Sequence, residues 1–498
     1  MFENIILGFS TALQFENLSF SLLGVVIGNL LGVLPGIGPL AALSMLLPVT
    51  YGLSPTAAIM MLAGLFYGTT FGGATTSILL NLPGTSSHAV VCLDGNPLAR
   101  QGRGGAAIFM AMAASFIGVC LGIVLMMLFS PWLSDVAIMF SAEAYFSLML
   151  LGLLAASTFS TGSPIKAFAS ILFGLLLGTA GSDITSGEIR FTFGFSTLQD
   201  GISLVALALG LFGLSDILRS KDSTDVEAGF ASTRQITRRN VRPNKEEVKR
   251  SVGPIARGSI IGSFLGILPG AGGTMSSFMS YATELRMSKK PERFGKGAIE
   301  GVSGPEAANS SAAITAFVPT LTLGIPGDSV MAIMLGAMMI HNIEPGPFLM
   351  MNHAPLFWGL LASFWIGNLI LLFLNIPLIG IWVRMLSVPY RLVYPLIIVL
   401  VCIGVYSSNN NLYDIGTVMG IGVFGYIITK LGFQPASVLL AFVLGPMMEE
   451  KFRRATALSG GELSSFITDP ISGATLGVCA LLIIGLVTRF VRSKLKGA

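Results

Sequence analysis

Thirteen apolar stretches, none shorter than 15 residues, take up most of this chain. Six run from about 18 to 50, 56 to 91, 105 to 130, 144 to 158, 165 to 180 and 201 to 218. Seven more run from about 253 to 283, 300 to 340, 355 to 383, 392 to 407, 415 to 429, 433 to 448 and 466 to 489. A helix that crosses a bilayer needs about 20 apolar residues, and backbone placed in hydrocarbon must satisfy its own hydrogen bonds. An all-α polytopic membrane protein is the expected fold class. Charge agrees, since only 11% of the 498 residues are charged, against about 25% in soluble domains. A soluble enzyme, a secreted disulfide scaffold and a coiled coil are excluded.

The few charges are informative by position. Between the two sets of stretches lies the long polar segment 219–250, with nine Lys or Arg and five acids. Basic loops stay in the cytoplasm, so this segment reads as a cytoplasmic linker between a first half, 1–218, and a second half, 251–498. Counting outward from it puts the N-terminus outside, where the first 99 residues contain no Lys or Arg, and the C-terminal tail inside. The opening MFENIILGFS lacks the basic region of a signal peptide, so the first segment is expected to be retained. Lys451, Arg453 and Arg454 disagree, because they fall outside in this count. The net charge of +4 reflects these loops rather than a nucleic-acid partner. The cysteines Cys92, Cys120, Cys402 and Cys479 form no CxxC pair, so no metal site or disulfide framework is indicated.

Residues 253–283 are apolar, yet basic loops flank them on both sides, with five Lys or Arg between Arg286 and Lys296. Too short to cross twice, the stretch is expected to form a re-entrant hairpin turning at LPGAGG, Leu268 to Gly273. Residues 24–38, GVVIGNLLGVLPGIG, match residues 258–272, GSIIGSFLGILPGAG, at nine of fifteen positions. Glycines at every fourth position suit close helix packing, but that does not explain why both series end in LPGxG. A second shared break follows each hairpin: LLNLPGTSS at 79–87 and TLGIPGDS at 322–329. The hairpins (about 18–50 and 253–283) and broken helices (about 70–91 and 314–340) therefore form two inverted-topology repeats, with about eleven net crossings. Many secondary transporters build a midplane site this way.

A broken helix leaves N–H groups unsatisfied at the start of its second half, where the dipole is positive. Such ends suit a carboxylate. The substrate-side candidates are Gly36, Gly38, Asn81, Gly84, Thr85, Ser86, Ser87, Gly270, Gly272, Gly273, Thr274, Gly327 and Ser329, with Ser276 and Ser277 nearby. From residue 297 to 383 there is no Lys or Arg, while Glu306 and Asp328 lie in apolar sequence. An intramembrane acid is costly and so marks function. Glu306, with Asn309 on its helical face, and Asp328 are the cation-side candidates, and an anionic substrate would then travel with a cation. Arg257 and Arg384 are the nearest direct anion partners, though both read more simply as snorkelling ends. No GxxxxGK[ST] loop, HExxH or GxGD stretch occurs, and His88, His341 and His353 are far apart. His88 reads as a satisfied or solvated histidine rather than a proton relay. An ion channel with pore-lining hairpins is the rival; a lipid-modifying enzyme would need an acid cluster that is absent.

These residues resemble the large membrane subunit of the bacterial tripartite tricarboxylate transporters. The resemblance rests on GNLLGVLPGIGPLAALSMLLPVTYGLSPTAAI from Gly28, LAGLFYGTTFGGATTSILLNLPGTSS from Leu62 and DGNPLARQGRGG from Asp94. It continues in GILPGAGGTMSSFMSYATE from Gly266, GPEAANSSAAITAFVPTLTLGIPGDSVMAIMLGAMMIHNIEPGP from Gly304 and GPMMEEKFRRA from Gly445. It implies a permease of the bacterial inner membrane, with a small integral-membrane subunit and a periplasmic solute-binding protein as partners. It further implies uptake of citrate-like organic acids driven by Na⁺ or H⁺, with no cofactor and no ATP hydrolysis, and leaves dimerisation open.

Overall fold

The computed structural model describes residues 2–34, 37–158, 163–183, 186–220, 242–268, 270, 272–385, 395, 398–399, 401–402, 405–406 and 411–496. Helices dominate. In the first half these are α1 (Phe2–Ala12), α2 (Phe15–Val33), α3 (Pro39–Leu46), α4 (Pro55–Leu80), α5 (Ala89–Leu98), α6 (Gly104–Ala137), α7 (Ala142–Thr158) and α8 (Pro164–Gly178). A two-residue β-pairing of Gly181–Ser182 with Ile189–Arg190 follows, then α9 (Leu204–Ala208), a π-turn at Leu209–Leu214, and α10 (Ser215–Ser220). The second half holds α11 (Lys245–Ile267), α12 (Gly272–Met287), α13 (Glu300–Thr315), α14 (Phe317–Thr322), α15 (Ser329–Ile340), α16 (Leu349–Asn352), α17 (Ala354–Asn375) and α18 (Ile379–Met385). Last come α19 (Leu412–Lys430), α20 (Pro435–Leu458), a short turn at Ser465–Thr468, and α21 (Pro470–Lys496). Among the described residues, five helices are long and apolar enough to cross a membrane: Phe15–Val33, Pro55–Leu80, Ser86–Ala137, Ala354–Asn375 and Leu412–Lys430. The third is continuous through a kink at Gly102, φ +77. Both ends of the polar linker are more ordered than composition suggests: Arg219 lies on α10, and α11 begins at Lys245, where Asn244 and Glu247 form a capping box.

The glycine series set the packing. Gly24, Gly28 and Gly32 on α2 face the backbone at Met61, Leu65 and Thr69 on α4, in the same order. The two helices therefore run parallel at a separation only glycine permits. Gly258, Gly262 and Gly266 on α11 face Gly304, Ala308 and Ala312 on α13 in the same manner. The segment joining each pair returns to the end where the first helix began. The Ser54 N–H at the start of α4 donates to Glu16 Oε1 at the start of α2, at 3.2 Å. Arg250 on α11 pairs with Glu300, the first residue of α13, at 2.8 Å. The α2–α4 pair runs opposite to the α11–α13 pair. Phe66, midway along α4, meets Phe317 just beyond α13, while Asp94, beyond α4, accepts the Gly297 and Ala298 N–H groups ahead of α13 at 2.8 Å.

This close packing predicts a specific sensitivity. Gly28→Leu would drive its side chain into the α4 backbone at Leu65 and should cost about 1–3 kcal/mol or more. Gly416, with nothing within 4 Å, should accept leucine without loss. Thermal melting of the two variants in detergent checks the difference.

A main core spans α2, α4, α6, α13, α15 and α17. A satellite core of Met149, Leu153, Ile171, Ile325, Ala332, Leu335, Leu440 and Leu444 joins α7, α8 and α20 to α15. Two of the basic residues that broke the charge pattern are matched by acids, Lys451 by Glu450 at 3.0 Å and Arg453 by two partners. Arg453 pairs with Asp183 at 2.8 Å and Glu449 at 2.6 Å, and Arg190 also binds Glu449. Residues 449–453 therefore sit against the acidic segment around 183–190, and pairing rather than sidedness accounts for Arg453.

Candidate functional site

Four helix N-termini converge on one cavity of about 380 Å³. The first belongs to α3, where Gly38 is the N-cap and Pro39 opens the helix. The second is the turn Ser86–His88 leading into α5, with Thr85 as its N-cap. The third is α12, entered through Gly270 and Gly272, both at positive φ (+82 and +54). The fourth is α15, capped by Asp328. No side chain caps Gly38 or Thr85, so N–H groups in those first turns lack an intrahelical partner and their positive ends face the cavity.

Of the residues expected from sequence, Gly38, Thr85, Ser86, Ser87, Gly270, Gly272, Gly273, Thr274, Asn309, Asp328 and Ser329 line this cavity. The two halves meet within it, where the Ser86 and Thr274 hydroxyls lie 2.7 Å apart. The Gly270 N–H donates to the Gly327 carbonyl at 2.7 Å, so the second hairpin tip rests on the second break. Gly327 thus supports the wall without lining it. Gly84 plays a similar part: its Cα packs on Gly73 with no room for a side chain, and its N–H reaches Ser77 Oγ at 3.2 Å. Asn81 is an exposed left-handed cap (φ 58) ending α4, away from the cavity. Gly36 lies outside the described residues.

Two further expectations need correction. Ser276 and Ser277 are buried behind the wall, bonded to the carbonyls of Gly272 and Pro305, and so offer the cavity nothing. Arg257 is engaged by both Glu284 oxygens at 2.8 and 2.6 Å, which removes it as an anion partner. Arg384 lies on α18. Among the lining residues there is no Lys, Arg or His, and the only charges are Asp216 and Asp328.

Glu306 is fully buried one helical turn from Asn309 and does not itself reach the cavity. Its Oε2 accepts the Ser115 hydroxyl at 3.2 Å, while Oε1 has no hydrogen-bond partner. Asp328 has a structural task as well, since Oδ1 accepts the Met331 N–H at 2.9 Å as the N-cap of α15. Several other lining residues stand in no sequence motif. Phe66, Thr70, Asp216, Gln434 and Ser437 reach the cavity from α4, α10 and the start of α20. Asp216, the one acid in an apolar run beside the linker and paired with Arg219 at 3.3 Å, was the most detectable of them. His88 is satisfied rather than solvated. It is buried and touches Thr85, Glu306 and Asn309.

Comparison with known proteins adds the following. A family model described as "Tripartite tricarboxylate transporter TctA family" matches residues 18–440. The chain is 46% identical over 495 residues to an uncharacterized 52.8 kDa protein in the TAR-I ttuC' 3' region of Agrobacterium vitis, covering 99% of this chain and 98% of that one. It is 49% identical over 233 residues to an uncharacterized protein in the TAR-II ttuC' 3' region of the same organism, covering 47% of this chain and 96% of that one. No solved structure matches it.

Proposed function

Since the chain belongs to the tripartite tricarboxylate transporter TctA family, we propose that it imports a tricarboxylate or related organic acid by cation symport. The observation that carries this reading is the convergence of four helix N-termini on a cavity lined by glycines and hydroxyls. Main-chain N–H groups at helix ends hold a carboxylate without a basic side chain. A site that also faces Asp216 and Asp328 would repel a polyanion unless a cation accompanied it. Glu306, with its unpartnered buried oxygen, and Asn309 are the cation-side residues, and Asp328 is the third candidate.

The organisation proposed around this site is two inverted repeats with about eleven crossings and two re-entrant hairpins. The opposed directions of the α2–α4 and α11–α13 pairs support it. The chain lies in the bacterial inner membrane with its N-terminus outside and its C-terminus inside. A periplasmic binding protein supplies the acid, and a small membrane subunit completes the complex. Transport proceeds by alternating access, with the hairpin bundle carrying the site past the α7, α8 and α20 layer.

Uptake of labelled citrate, malate, succinate and tartrate by the complete complex, with Na⁺ and pH varied separately, tests this. One of these acids should accumulate above its external concentration and depend on one of the two cations. Conductance without accumulation, or accumulation that ignores both gradients, would remove the symport reading.

A further inference from the structure

His88 sits on the turn after the first Pro-Gly break and is fully buried. Its Nδ1 lies 2.7 Å from the Thr85 hydroxyl. Its Nε2 lies 3.5 Å from Glu306 Oε1 and 3.4 Å from Asn309 Nδ2. Thr85 and Asn309 face the cavity, whereas Glu306 lies behind it. The ring thus spans the distance between the cavity wall and the buried carboxylate, and it does so across the two halves of the chain. The space it occupies is provided by Gly73, where a Cβ would come within 3.0 Å of the ring.

We propose that His88 is the positioning residue that couples substrate binding to cation binding, a role that rests on the symport reading above. A neutral imidazole has one N–H and one bare nitrogen. With the proton on Nε2, the N–H faces Glu306 Oε1 across 3.5 Å, and Nδ1 accepts the Thr85 hydroxyl. With the proton on Nδ1, it donates to Thr85 and accepts the Asn309 amide at Nε2. Glu306 Oε1 is then left with no donor, because Ser115 serves only Oε2.

The substrate chooses between the two forms. A carboxylate at the cavity wall draws the Thr85 hydroxyl proton toward itself as a hydrogen bond. The Thr85 oxygen then turns its lone pairs to Nδ1, which favours the second form. Water in the cavity, which meets both Asn309 and Thr85, takes the proton that leaves Nε2 and returns one to Nδ1, so the ring stays neutral, Glu306 stays ionised and no proton is gained or lost. Glu306 becomes a buried carboxylate without a partner, a costly state that binding of the coupling cation relieves. Binding linkage is reciprocal, so the cation raises substrate affinity by the same factor.

Two substitutions cut this link at opposite ends. His88→Gln retains an amide near the Nε2 position and loses Thr85, while His88→Asn retains one near Nδ1 and loses Glu306. The complete complex in membrane vesicles is assayed with whichever of labelled citrate, malate, succinate or tartrate the wild type accumulates. Both variants should retain exchange of internal for external substrate, and both should accumulate about tenfold less than wild type. In both, substrate should no longer shift the Na⁺ or H⁺ concentration needed for half-maximal uptake. Wild-type accumulation by either variant overturns the coupling role. Loss of exchange together with accumulation, at normal membrane levels of the protein, also overturns it and assigns His88 to substrate binding. A wild type that accumulates none of the four acids instead defeats the proposed function.

Discussion

Gly270→Val abolishes uptake while the protein still reaches the membrane in normal amount. Gly270 turns the second hairpin at φ +82, where a residue with a Cβ is disfavoured by about 1–2 kcal/mol. The new side chain would also press on the backbone of Ala155 and Ala156 at the end of α7, adding about 1–3 kcal/mol of overpacking. At about 1.4 kcal/mol per factor of ten, the native tip is depopulated roughly 30-fold or more. The tip also carries the Gly270 N–H that binds Gly327, so both walls of the cavity shift together. Gly346→Ala is the control, since that glycine has φ +138 with nothing within 4 Å. It imposes backbone strain away from the cavity and should leave uptake close to wild type. Normal uptake by Gly270→Val would remove the hairpin tip from the site.

The second large effect is expected at Glu306. Glu306→Gln keeps the size and the Ser115 contact but removes the charge whose Oε1 has no partner. Stability should hold or rise, because a buried unpaired carboxylate is costly in the folded state. Transport should behave differently: accumulation loses its dependence on the cation gradient, a fall of about 5–150-fold for a coupling energy of usual size. Preference among the acids should change little, since Glu306 does not line the cavity. Measuring accumulation ratios across a series of Na⁺ and pH gradients separates the two. An unchanged cation dependence would count against Glu306 as the cation side.

The local signals in the sequence were strong where chemistry repeats along the chain. Pro-Gly breaks followed by small polar residues mark helix ends whatever the surroundings, and the glycine series mark helix contacts. Gly38, Ser86, Gly272 and Ser329 could therefore be named from sequence, and all four face the cavity. Residues placed by tertiary contact could not. His88 comes beside Glu306 only because α4 and α13 run in opposite directions, and nothing near either residue encodes that meeting. Asp216 and Gln434 enter the wall from α10 and the start of α20, elements whose positions follow from packing rather than from motif. The partners of Arg257 and Arg453 were hidden for a related reason. Their acid partners, Glu284 and Asp183, lie far enough away in sequence that composition counts treat each charge as free.

Helix ends rather than basic side chains supply the N–H donors of this cavity, which bears on descent. Main-chain N–H groups are carried by every residue but proline, so most side-chain substitutions leave these donors in place. Side chains such as Thr70, Ser87, Thr274 and Ser437 can change one at a time and reshape the volume around them. Under the proposed function, changes among these side chains would alter which acid is carried while the main-chain donors stay.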